Sequence, residues 1–210
     1  MKNAAISREE QLAMTPDSVL EDLMDGNKRF IEQKSEAVDD KALIKQTTGG
    51  QFPKAVILSC IDSRVPVEKV FDQNIGDVFV ARVAGNFENV DILGSLEYSC
   101  KAAGSKLVMV LGHESCGAVK AACDGVELGN ITAMLGNIMP AVEKSIEESE
   151  GGETDSTNNA FVAKTVENNV KLTMKRIKQK SLILKQMELE GAIKIVGGVY
   201  SLHSGKVQLI

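Results

Sequence analysis

Three residues of this 210-residue chain carry metal-ligating side chains at intervals that allow them to converge: Cys60, His113 and Cys116. His113 and Cys116 are separated by two residues, so one tight turn can aim an imidazole and a thiolate at the same ion. Cys60 ends an earlier apolar run that a sheet can set alongside. Two sulfurs and a nitrogen are a donor set suited to zinc, and three protein ligands leave the fourth tetrahedral position to water or substrate, as in a catalytic site. Asp62 and Arg64 follow Cys60 at a spacing of two, which in an extended or turning segment can turn both to one side. A carboxylate there could ligate the metal and close the site, or accept a hydrogen bond from a metal-bound hydroxide. A bidentate guanidinium keeps it ionised and off the metal. The alternative for this pair is a helix cap with a surface salt bridge. Cys100, Cys123 and His203 lack a ligand-spaced neighbour and read as ordinary buried or surface residues.

These side chains need a rigid frame. Ala55-Val56-Ile57-Leu58 is short, apolar and bounded by polar residues, as a strand buried on both faces should be. The same element recurs at Val78–Val80, Leu107–Leu111 and Ile193–Val196, with helical stretches between, among them 89–103 and 116–123. Strands alternating with helices imply an α/β fold with a mostly parallel sheet. In such sheets binding residues collect beyond the C-terminal ends of strands, and both candidate segments stand there, each ending a strand and opening a helix. Ser204-Gly205 between Val199-Tyr200 and Val207–Ile210 reads as a hairpin, giving an antiparallel edge strand. Thr15-Pro16-Asp17 opens a helix bearing Val19, Leu20, Leu23, Phe30 and Ile31, so residues 1–48 form a helical arm within a single domain spanning 1–210. Residues 130–150 and 160–190 read as two long helices around a polar loop at Gly151.

Hydrophobic residues make up 43% of the chain, enough for one substantial core. A net charge of -5, with lysines scattered among acids, argues against nucleic acid as a partner. No run approaches the roughly 18 consecutive apolar residues of a membrane helix. The first residues lack the apolar core of a secretory signal, so a cytoplasmic location is expected, with the four cysteines as thiols or ligands rather than disulfides.

Cys60-Ile61-Asp62-Ser63-Arg64 resembles the Cys-x-Asp-Ser-Arg segment of the beta-class carbonic anhydrases, and His113-Glu114-Ser115-Cys116-Gly117 resembles that family's His-x-x-Cys-Gly segment. The resemblance implies one zinc ion per chain on Cys60, His113 and Cys116, and a catalytic dyad of Asp62 and Arg64. The implied reaction is reversible hydration of carbon dioxide to bicarbonate and a proton by zinc-bound hydroxide. Gln51 and Phe79 align with residues of the plant-like subtype, whose zinc site is open: a glutamine that hydrogen-bonds substrate and a phenylalanine of the apolar pocket, often supplied by the adjacent subunit. Gly117 matches a glycine beside the substrate. A homodimer or homotetramer is therefore implied, with the N-terminal helices embracing the neighbour. Two other readings stay open: hydrolysis of carbon disulfide or carbonyl sulfide on the same zinc site, and a zinc-binding module without turnover. Glu114, next to the metal loop, could raise the basicity of the site or point to solvent.

Overall fold

A computed structural model describes residues 4–35 and 37–210. In chain order, α1 (Arg8–Ala13), α2 (Pro16–Ile31) and α3 (Asp40–Thr47) precede β1 (Ala55–Ser59), and a short α4 (Val67–Val70) leads to β2 (Val78–Arg82). Next, α5 (Val90–Glu97) runs into a π-helical turn (Tyr98–Ala102) before β3 (Leu107–His113). Five helices follow: α6 (Gly117–Cys123), α7 (Gly129–Leu135), α8 (Met139–Glu147), α9 (Asn159–Lys180) and α10 (Leu182–Leu189). The hairpin of β4 (Lys194–Tyr200) and β5 (Val207–Leu209) closes the chain.

The sheet order is β2-β1-β3-β4-β5, with β5 alone antiparallel to its neighbour. This is the mostly parallel sheet with an antiparallel edge that the apolar runs imply. Side chains alternate across it, as the two-residue period of a strand requires. Ala55, Ile57, Leu107, Met109 and Leu111 join Val19 and Leu23 of α2 and Val67, Val70 and Phe71 on one face. Val56, Leu58, Val108 and Val110 join Leu96, Cys100, Val170, Ile177 and Leu184 on the other. Each large aliphatic side chain so buried contributes roughly 1.5–3 kcal/mol, so the central strands form a stiff base for what lies at their ends.

Several local signals act as expected. Thr15 caps α2 by accepting the Ser18 N–H at 3.1 Å, and Pro16 occupies the first turn, where its missing N–H costs nothing. The N-terminal helices share the core of their own chain: buried Asn27 of α2 donates to the carbonyls of Val70 and Gly205 and accepts from Val207 N. Other boundaries differ from the periodicity. The 130–150 stretch is two helices, because Pro140 can sit only in the first turn of a new one. The 160–190 stretch breaks at Ser181, whose extended backbone lets its hydroxyl accept Leu184 N and donate to Glu97 at the end of α5. No described helix is long and apolar enough to cross a membrane.

Candidate active site

The chain lays β2 on one side of β1 and β3 on the other, which makes the C-terminal ends of β1 and β3 the switch point where an open sheet offers a crevice. Cys60 directly follows β1, and His113 is the last residue of β3. Ser115 adopts a φ of 51°, a left-handed conformation that turns the chain sharply, and Cys116 then sits at the N-cap of α6. The Cys60 segment opens no helix directly. An irregular segment with a turn at Ser63-Arg64, closed by Val65 N on the Asp62 carbonyl, comes first, and only the single turn of α4 follows.

All three residues are buried, and their donor atoms lie within 4.8 Å of one another. The sulfurs of Cys60 and Cys116 are 3.9 Å apart. Nδ1 of His113 lies 2.8 Å from the carbonyl of Glu114. A carbonyl only accepts, so Nδ1 carries the proton and Nε2 is left with its lone pair. That Nε2 is buried and has no hydrogen-bond partner among the described residues. These observations fit zinc: bonds of about 2.3 Å in a tetrahedron separate two sulfurs by about 3.8 Å, and an orphaned imidazole nitrogen completes the set. The two sulfurs share protons unequally. Contact with Cys116 pulls the Cys60 thiol down, assisted by the Gly85 N–H, whereas that contact and burial push Cys116 up.

Asp62 turns toward this cluster, its Oδ2 lying 3.8 Å from Nε2 of His113. Arg64 grips it with Nε on Oδ1 at 2.9 Å, Nη2 on Oδ2 at 2.7 Å and its backbone N–H on Oδ1. The guanidinium holds the Asp62 carboxyl down to about 2. Gly117 opens α6, and nothing lies within 4 Å of where a Cβ would stand. Glu114 faces away from the donors: its carboxylate accepts from Ser201 Oγ, Leu202 N and His203 Nδ1, fastening the turn after β3 to the β4–β5 hairpin.

Gln51 and Phe79 lie elsewhere in the chain. Phe79 pairs in register with Val56, four residues before Cys60, or about 13 Å along the strand. Its ring meets Tyr98 edge to face at 6.1 Å and lines a groove with Val90 and Ile92. Gln51 lines a second cleft with Phe52, Gln11 and the same Tyr98. Val90 and Tyr98 are 81% and 59% exposed, so this edge of the sheet presents apolar surface outward.

Two contributors escape a reading of residue types. Arg82, opposite Ser59 in the ladder, donates from Nε to the Cys60 carbonyl at 2.8 Å and from Nη2 to the Asp62 carbonyl at 2.7 Å, fixing the turn that bears both residues. Gly85 donates its N–H to Cys60 Sγ at 3.4 Å from the turn after β2. The Val-Ala-Gly-Asn turn signal following a strand was the available clue.

Fold and donor set together define a class: an open α/β protein with a buried Cys–His–Cys centre at its switch point and an ionised carboxylate beside it. Comparison narrows the class. The carbonic anhydrase family model matches residues 55–207. Carbonic anhydrase 2 of Mycobacterium tuberculosis is 35% identical over 193 residues, 89% of this chain and 89% of that protein. A beta-carbonic anhydrase of the fungal pathogen Aspergillus fumigatus superposes with a TM-score of 0.72 at 25% identity, covering 92% of this chain and 89% of that one. The Coccomyxa beta-carbonic anhydrase solved with acetazolamide gives 0.72 at 25% identity over 91% and 86%. The chain belongs to the carbonic anhydrase family.

Proposed function

We propose that this chain catalyses the reversible hydration of carbon dioxide to bicarbonate and a proton at one zinc ion held by Cys60, His113 and Cys116. The observation that carries this reading is the buried, unpartnered Nε2 of His113 beside two sulfurs 3.9 Å apart, in a chain of this family. Zinc, when bound, supplies the Lewis acidity that makes hydroxide available near neutral pH.

The chain's own residues do the rest. Asp62, whose Oδ2 lies 3.8 Å from Nε2 of His113, would accept the hydrogen of a nucleophile at this centre and so orient its lone pair toward the substrate carbon. Arg64 occupies Asp62 on both oxygens and keeps it from ligating, which leaves the site in the open, plant-like form. The released proton leaves to solvent or buffer. Carbon dioxide is small and apolar, so its pocket needs room, packing surface and one oriented donor. Gly117 gives the room, Phe79 the surface and Gln51 the amide.

Because Gln51 and Phe79 line outward-facing clefts of their own chain, we read them as serving the centre of a second copy, in a homodimer or homotetramer of one-domain chains. Light scattering should then find at least a dimer at low concentration, and Val90→Asp should yield monomers with little activity. A stable, fully active monomer contradicts the shared pocket. A cytoplasmic location suits thiols that must stay reduced, and all four cysteines are free.

Stopped-flow hydration with a pH indicator tests the reaction. The rate should be inhibited by acetazolamide and should rise toward alkaline pH, because two thiolates offset the charge of the ion and weaken its acidifying effect. Carbon disulfide should release no hydrogen sulfide. Sulfide release without carbon dioxide hydration would assign the site to the sulfur substrates instead.

A further inference from the structure

We propose that Asn169 is a positioning residue for this centre: it anchors the Gly85 carbonyl, which holds the Gly85 N–H on the Cys60 sulfur and so sets how strongly that sulfur donates to a metal. The inference rests on the zinc reading above.

Asn169 lies in the middle of α9, at 1% exposure, on a buried face shared with Val162, Thr165, Val166, Val170 and Thr173. An amide there is unfavourable unless its hydrogen bonds are made. One is made at 2.7 Å, from Nδ2 to the carbonyl of Gly85, while Oδ1 has no partner among the described residues. Gly85 cannot hold itself in place. It takes a φ of +83° in a turn closed by Asn86 N on the Val83 carbonyl, and a Cβ there would stand 2.4 Å from Cδ1 of Ile138. With no side chain, its orientation is set by packing and by its two backbone bonds, one to Asn169 and one to Cys60.

The two sulfurs are served differently. The Cys116 sulfur stands at the start of its own helix, α6, whereas the Cys60 sulfur takes the N–H of Gly85, 25 residues away. Only the remote donor needs a remote anchor. An N–H on a ligating thiolate draws electron density from it, which strengthens the Lewis acidity of the metal; without that bond the sulfur donates more and the metal acidifies water less. The same face of α9 presses Val166 and Val170 against Gly112, beside His113, so a test must separate positioning from packing.

Asn169→Leu removes the donor at similar volume, and Asn169→Ser serves if the leucine does not fold. Asn168→Leu is the packing control, since Asn168 is equally buried but bonds Ser145 and Glu148 instead. With zinc bound, the Asn169 variants should move the midpoint of the pH–rate profile about one pH unit alkaline, about tenfold in rate at neutral pH. With cobalt in place of zinc, their thiolate-to-metal absorption band should move to longer wavelength, and Asn168→Leu should move neither. Asn169 variants with full metal content, an unmoved band and an unmoved midpoint would overturn the proposal. A wild-type cobalt protein with no thiolate band would instead overturn the zinc reading and the proposal with it.

Discussion

Cys116→Ser should reduce bound zinc from one per chain to under about a tenth and lower carbon dioxide hydration by on the order of a thousandfold or more. A serine hydroxyl stays protonated at neutral pH and is a poor match for zinc beside a thiolate and an imidazole. It also leaves a buried hydroxyl where the sulfur stood, at a further cost of about 1–3 kcal/mol. Cys100→Ser is the contrast. Cys100 packs among Leu96, Ile177 and Leu184, and burial pushes its thiol up to about 12, so it is an inert core residue whose loss should leave zinc content unchanged. Metal analysis of the two purified variants, beside stopped-flow rates, checks both halves. A Cys116→Ser protein with stoichiometric zinc would remove Cys116 from the ligand set.

Asp62→Asn should retain zinc and lose about a hundredfold or more in kcat/KM, because the amide replaces one of the two acceptor oxygens with an N–H donor, which then faces either Arg64 or the nucleophile. Arg64 depresses the Asp62 carboxyl from 3.8 to about 2. A depressed carboxyl stabilises the fold above its unfolded value, and that contribution is lost as pH falls through the folded value. Wild type and Asp62→Asn should therefore differ by a constant stability from pH 9 down to about 5, with the gap closing between pH 4 and 2. Chemical denaturation across that range measures it. A gap that stays unchanged between pH 4 and 2 would mean Arg64 does not hold the carboxylate, and unchanged kcat/KM would remove Asp62 from catalysis.

The central strands are plain in the sequence because both their faces are buried: Val56 and Ile57, or Val108 and Met109, cannot alternate with polar residues when each side meets a helix. The candidate ligands are plain because their chemistry is rare and their places at strand ends follow from chain order. Less legible is whatever depends on partners distant in sequence. Ser181 resembles any helix residue until Glu97 receives its hydroxyl, and Arg82 resembles any surface cation until it clamps the carbonyls of Cys60 and Asp62. Gly85 and Asn169 meet across 84 positions. Gln51 and Phe79 are recognisable by resemblance, yet their own chain places them along an outer edge rather than beside Cys60, His113 and Cys116, so the role proposed for them requires a second chain.

The most direct measurement is a zinc titration of metal-free protein followed by carbon dioxide hydration at each point. The three-ligand centre predicts negligible rate without metal and a linear rise that stops at one zinc per chain. A rate indifferent to added zinc, or full loading with no hydration above buffer at any pH, would contradict the account.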